Sequence, residues 1–423
     1  MEQPITADDI SRDLIHFIAK SPSTFHAVRG IKAALLYAGF TEIREEDTWQ
    51  IEKGGKYVVT RNGSALMAFT VPKEGAEAFH ITASHCDSPT FKIKEDPEIA
   101  DGPYVKLNVE GYGGMIMSTW LDRPLSVAGR LLVTENGHLA EKLVAIDGTM
   151  LVIPSVAIHM DRSVNQHKEW KVQKDMLPLY GMTGAKTPFM DVIAAAAKVK
   201  AEDILAHDLI LYSRVPGTIW GEEREFISSP KLDDLQCAFA CFRGFTQGQK
   251  EKYISVYALF DNEEVGSATS QGAGSTFLAN TLERLARSLG YSYDETMAMI
   301  ARSFMISADN AHPNHPEYAD PVNRPVINGG IVIKYSAAQK YATNAFSAAY
   351  FKKLCKDHDI PTQTFTNHSD NPGGSTLGNI SNTVIAMPTV DIGLPQLAMH
   401  SSYETAGVKD TAYLVDAVTK FYE

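Results

Sequence analysis

Apolar residues recur at helical spacing in two runs near the start of the chain, ADDISRDLIHFIAK and STFHAVRGIKAALLYAGF. The period predicts helices over residues 7–39, the second opened by Ser and Thr caps and stopped near Gly39. KYVVTRNGSALMAFTVP, residues 56–72, reads as a hairpin turning at Asn62-Gly63. AFHITASH then alternates towards His85. From about residue 92 to 214 the texture changes to short β-rich runs punctuated by Gly and Pro, with one helical period in FMDVIAAAAKVK. Beyond residue 215 helical and strand-like runs alternate: CAFACFRGF, YISVYALF, STFLANTLERLARSLG, DETMAMIARSF, GGIVIKYS, NAFSAAYFKKLCKDH, NTVIAMPTVDIG and DTAYLVDAVTKFY. Strands alternating with helices of this length imply a layered α/β sheet. The expected organisation is an α/β domain split in sequence, residues 1–91 plus 215–423, interrupted by a mostly-β insert at 92–214.

Length supports that division, since 423 residues exceed what one core usually holds. With 44% apolar residues, no disulfide or metal staple is needed for stability. The net charge of −12, from 39 basic and 51 acidic residues, argues against nucleic acid and against an anionic membrane surface. Four cysteines in so long a chain suit a reducing compartment. Cys237 and Cys241 lie four apart in a helical run, a spacing open to a structural zinc pair but far more often that of two small core residues. The start of the chain lacks the features of a signal peptide, and no run of about 18 apolar residues occurs, so a cytoplasmic protein is expected.

Five polar turns next to apolar runs carry Asp, Glu and His. HCDSP holds His85 and Asp87, SSPKLDDLQ holds Asp233 and Asp234, and FDNEEVG holds Glu263 and Glu264. SADNAHPNHPEY holds Asp309, His312 and His315, and QLAMHSSYETAG holds His400. Loops at the carboxyl ends of strands are where α/β proteins place their sites. Taken singly, a lone His is commonly structural, an Asp before a helix commonly a cap, and a double Glu commonly a solvated edge. Together, imidazole and carboxylate donors suit a first-row divalent metal, and two ions about 4 Å apart need a bridging carboxylate such as Asp233. Asp87, two residues beyond His85, can accept the second imidazole N–H. Adjacent Glu263 and Glu264 in an extended segment would point to opposite sides, one to a metal and one to a water.

These motifs, with GGIVIKYSAAQKYAT and SDNPGGSTLG, resemble the aspartyl aminopeptidase family of dinuclear-zinc exopeptidases, in the family's order and over nearly the whole chain. The resemblance implies a three-layer mixed-sheet catalytic domain with an inserted β domain for oligomerisation. It implies two zinc ions per subunit, replaceable by manganese or cobalt, held by His85, Asp233, Glu264, Asp309 and His400 with Asp233 bridging. Glu263 matches the general base and Asp87 the residue orienting His85. His159, His312, Lys334 and Tyr341 match substrate-binding positions, His159 reaching a neighbouring subunit's site in the family. The implied activity is removal of N-terminal Asp or Glu from peptides with a free amino terminus, within a homo-dodecamer. Cys86 stands where Thr is expected, and His368 and Gly373 where Arg and Cys are common, which touches the pocket and not the ligands.

Three other readings compete. An aminopeptidase of the same fold could prefer neutral or basic N-termini. A self-assembling particle could carry purely structural metals, with no use for Glu263. A two-metal phosphoryl hydrolase is disfavoured, because neither a P-loop-type glycine run nor an Arg cluster accompanies the motifs.

Overall fold

A computed structural model describes residues 5–184, 187–248, 251–318, 324–370 and 373–423. Asn371 and Pro372 of the SDNPGGSTLG motif lie outside them. The organising element is a nine-stranded mixed sheet. Its centre consists of three parallel strands side by side, Tyr253–Phe260, Ala78–His85 and Phe304–Ala308. Ala78–His85 is buried along its whole length. Its alternation in sequence is therefore not an in-out pattern. His80, Thr82 and Ser84 are buried as well, and Thr82 is bonded to the Tyr422 hydroxyl.

Helices cover both faces of this sheet, giving three layers. Ala7–Lys20, Thr24–Tyr37, Leu232–Gln247, Ala345–Asp357 and Val408–Tyr422 share one apolar core with one face. Phe277–Ser288 and Tyr293–Arg302 pack on the other. The first helix begins with a reciprocal capping box between Thr6 and Asp9, which satisfies N–H groups that a helix start leaves free. The hairpin turns where expected, with Asn62 and Gly63 both at positive φ.

A second sheet of six antiparallel strands is built entirely from Thr90–Asp101, Tyr104–Tyr112, Leu125–Glu135, His138–Ala145, Leu179–Met182 and Ile204–Ser213, with its own apolar core. A third, four-stranded sheet joins Phe226–Ser229, just before Asp233, to Glu404–Gly407, just after His400. It thereby brings two distant stretches of chain to one place. Cys86, Cys237, Cys241 and Cys355 are all buried and free. Cys237 donates to the Asn310 side chain, 3.1 Å away, as a core residue. Among the described residues no helix is long and apolar enough to cross a membrane.

Candidate metal centre and active site

The three central strands run parallel and end together, with His85 in register with Phe260. Their exits deliver His85 from Ala78–His85, Glu263 and Glu264 from Tyr253–Phe260, and Asp309 from Phe304–Ala308. Asp233 arrives from the segment before the helix proper, where its backbone is not helical. His400 comes from the turn ahead of Glu404–Gly407, with φ at 66°.

Two clusters of donor atoms result, and Asp233 belongs to both. His85, Asp233, Asp234 and Asp309 place ligand atoms within 4.8 Å of one another, as do Asp233, Glu264 and His400. The two oxygens of Asp233 divide between them. Oδ1 is 3.5 Å from His85 Nε2, and Oδ2 is 3.5 Å from His400 Nε2. Asp309 Oδ1 stands 3.8 Å from His85 Nε2, and Glu264 Oε2 stands 3.3 Å from His400 Nε2.

The donor set fits divalent cations. Among the described residues, buried Asp233 Oδ1, Asp234 Oδ1 and Glu264 Oε1 find no hydrogen-bond partner. Such atoms are costly unless something satisfies them. Two carboxylates about 4 Å apart repel by about 4 kcal/mol at an effective dielectric near 20. Without a cation, burial pushes Glu264 well above the ordinary carboxylate range, and Asp233 adds to this. Burial also acts to raise Asp233, but the facing imidazoles of His400 and His85 hold it below its usual value.

Asp87 organises the centre from behind. Its Oδ1 accepts the Nδ1–H of His85 at 3.2 Å, which leaves Nε2 free to face Asp233 and Asp309. The same carboxylate accepts the backbone N–H of Glu263 and of Glu264, each at 3.1 Å, and the Tyr112 hydroxyl at 2.8 Å. The adjacent glutamates are therefore not on a strand. The strand ends at Phe260, Asn262 turns into the left-handed region, and Glu263–Val265 is a 3-10 turn closed by Gly266 at φ 98°. The two side chains diverge because successive residues of a three-residue turn point about 120° apart, not because a strand alternates. Gly113 fits this close packing: a Cβ there would sit 3.1 Å from the Glu264 Cβ.

Beside the centre lies a cleft of about 580 Å³, walled by Asp233, Glu263, Asp309, His312, Lys334 and Tyr341, with His368 and Gly373 also on its surface. Lys334 is 3% exposed, and its Nζ is 3.3 Å from Asp309 Oδ2 and 5.6 Å from the Tyr341 ring. His159 is not among the residues of this wall; it lies in an exposed stretch of the chain. Sequence reasoning left Asp234 and Glu404 without a role and passed over Tyr112. Asp234 accepts the His85 backbone N–H at 3.1 Å, and Glu404 accepts those of Asp233 and His400. Both acids stood inside motifs already singled out. Tyr112 carried no signal, because only the fold brings the insert to Asp87. Asp261 is 4% exposed and accepts the Asn262 N–H at 2.8 Å, so it fixes the loop.

The acidic centre makes a pH prediction. With no cation bound, burial raises Glu263 to about 8, Asp309 and Asp87 adding to it; burial with Asp87 raises Asp261 to about 7; and burial with Asp233 raises Glu404 to about 8. A carboxyl whose folded value lies above its unfolded value stabilises the fold at low pH. That contribution falls as pH rises past the unfolded value and is gone above the folded one. Zinc-free chain should therefore melt at a lower temperature at about pH 9 than at about pH 6, and zinc should flatten the difference. Calorimetry with and without chelator checks this; a flat profile for the zinc-free chain would contradict it.

Residues 17–422 match the family described as aminopeptidase I zinc metalloprotease (M18). A probable M18 family aminopeptidase 2 of Clostridium novyi is 46% identical over 424 residues, covering 97% of this chain and 98% of that protein. A probable aspartyl aminopeptidase of Ricinus communis is 33% identical, covering 98% and 95%. The structure of the S. cerevesiae mApe1 dodecamer superposes with a TM-score of 0.87 at 27% identity, covering 98% of this chain and 96% of that one. A nearly full-length family match over a shared fold settles the assignment: the chain belongs to the M18 family of zinc metallo-aminopeptidases.

Proposed function

We propose that this aminopeptidase uses two zinc ions to remove acidic residues from the free amino termini of peptides. The observation that carries the reading is Asp233, whose two oxygens each face a separate histidine-carboxylate group. His85, Asp233 and Asp309 would hold one ion, and Asp233, Glu264 and His400 the other; manganese or cobalt suits the same donors. When bound, the ions polarise the scissile carbonyl and lower the pKa of a nearby water.

The residues then have distinct tasks. Glu263, on the wall of the cleft, takes a proton from the attacking water as its oxygen bonds to the carbonyl carbon. It returns that proton to the leaving amine nitrogen as the C–N bond breaks, releasing one amino acid and the shortened peptide. Asp87 keeps Glu263 and Glu264 in place through their backbone N–H groups, so the base and the ligand beside it cannot exchange positions. A structural role for the metals alone would leave Glu263 without a use.

Lys334, His312 and Tyr341 line the cleft and would receive the substrate's first side chain. An ammonium has three N–H donors, and the Asp309 pairing engages one, leaving capacity for an acidic side chain. The same pairing favours a second reading, since Lys334 already has its counter-charge and a neutral residue could fill the cleft. A panel of peptides beginning with Asp, Glu, Leu or Lys separates the two. A charge-assisted hydrogen bond of about 1.5–3 kcal/mol predicts roughly 10–100-fold faster turnover of the acidic peptides. Lys334→Met should erase that preference more than it lowers turnover of the Leu peptide. Equal or faster hydrolysis of Leu or Lys peptides by the unaltered enzyme would establish the neutral reading.

For assembly, the proposal is a homo-dodecamer built through the β-rich insert at 92–214, with His159 reaching a neighbouring copy's cleft. The likeness to the mApe1 dodecamer supports the particle, and the exposure of Val156, Ile158 and Met160 around His159 supports the contact. A cytoplasmic location accords with four free cysteines.

A further inference from the structure

Glu404 is 2% exposed, close to a centre already crowded with carboxylates. Burying one more acid there is unfavourable unless its oxygens do something no neutral side chain can do. Its Oε2 accepts the backbone N–H of Asp233 at 3.0 Å, and its Oε1 accepts the backbone N–H of His400 at 2.8 Å. Neither donor belongs to regular helix or sheet. Asp233 has φ −81° and ψ 111° within a helix start, and His400 sits in the left-handed region. Their carbonyls are tied as well: that of Asp233 accepts from the Ser88 hydroxyl, and that of His400 from the Ile116 N–H.

We infer that Glu404 is a positioning residue that sets the spacing of Asp233 and His400, and with it the affinity of the second metal position. The inference rests on the two-zinc reading above. Both ligands belong to the cluster completed by Glu264, where His400 Nε2 and Asp233 Oδ2 are 3.5 Å apart. Glu404 opens the strand that pairs with Phe226–Ser229, with Ser229 as its partner, so the brace is anchored in a sheet that leads directly into the Asp233 segment. Only a carboxylate can accept an N–H at both of its ends. The amide of a glutamine would turn its NH2 against one of the two donors.

Asp410 supplies the control. It is fully buried and accepts the N–H of Asn328 at 2.7 Å and of Gly330 at 3.0 Å, the same double acceptance away from either cluster. The experiment is competition for zinc between a chromophoric chelator and full-length wild type, Glu404→Gln and Asp410→Asn, with folding followed by circular dichroism. Glu404→Gln should weaken the ion on the Glu264–His400 side by about 10–100-fold, in line with loss of a group that orients a ligand, and the other ion less, because only Asp233 is common to both. Asp410→Asn should lower thermal stability and leave both affinities unchanged. A folded Glu404→Gln that binds both ions as wild type does, or an Asp410→Asn that weakens zinc equally, overturns the inference. Wild type that binds no zinc at all sinks the two-zinc reading instead. Should Glu404→Gln not fold, amide exchange on zinc-free wild type decides. The Asp233 and His400 amides should exchange as slowly as those of the central strands; exchange at exposed-loop rates would show that no brace exists.

Discussion

Replacing Glu263 by Gln should lower kcat by about 10²–10⁴-fold while leaving fold and zinc content intact. The expectation follows from how the residue is held. Its backbone N–H bonds to Asp87 and its turn closes at Gly266, and neither contact involves the side-chain carboxylate. Gln therefore keeps the loop and removes only the ability to take a proton. Burial and the neighbouring Asp309 and Asp87 carboxylates raise Glu263 to about 8 when no cation is present, whereas two dications nearby favour its ionised form, the one a base needs. Single-turnover and steady-state rates on one peptide, with metal content measured on the same samples, separate loss of the base from loss of zinc. Unchanged kcat would show that the site needs no base and would restore the structural-metal reading.

Asp233→Asn should have the larger effect, removing activity and zinc together. Asp233 faces His85 through one oxygen and His400 through the other, so a single substitution reaches both clusters. Asn offers one weaker oxygen, and its NH2 replaces an acceptor that a cation needs. A second effect accompanies this loss. The imidazoles of His400 and His85 favour the ionised Asp233 carboxylate, so its removal costs the zinc-free fold those pairings, and the zinc-free variant should melt below zinc-free wild type. Zinc should then stabilise wild type strongly, by about 2.7 kcal/mol at 100 times its dissociation constant, and the variant little. Melting temperatures of both chains across a zinc series measure the two effects at once. A variant that retains both ions and full zinc-linked stabilisation would exclude Asp233 as the bridge.

Much of this molecule was legible because its signals are local. YISVYALF and GGIVIKYS are apolar runs of strand length, and both are strands, Tyr253–Phe260 and Ile331–Tyr335. DTAYLVDAVTKFY carries a helical period and lies in Val408–Tyr422. His85 and Asp309 stood out because a polar residue at the end of a buried run needs a reason. What stayed hidden depends on contacts between distant parts of the chain. That Glu263 and Glu264 occupy a 3-10 turn follows from Asn262 adopting a left-handed conformation and from Asp87, 176 residues away, collecting the Glu263 N–H. The role of Glu404 requires Asp233, 171 residues earlier, to be its neighbour. Lys334 is singled out in sequence only as a match to a substrate-binding position, and its ion-pair partner within the chain is Asp309. No periodicity or spacing carries such pairings, because tertiary packing creates them.

The most direct measurement is a zinc titration of chelated wild type, following release of the N-terminal residue and bound zinc together. Two ions sharing Asp233 predict that activity reaches its plateau at two zinc per chain, and that Asp233→Asn reaches none. Full activity at one zinc per chain, or without zinc, would contradict the account.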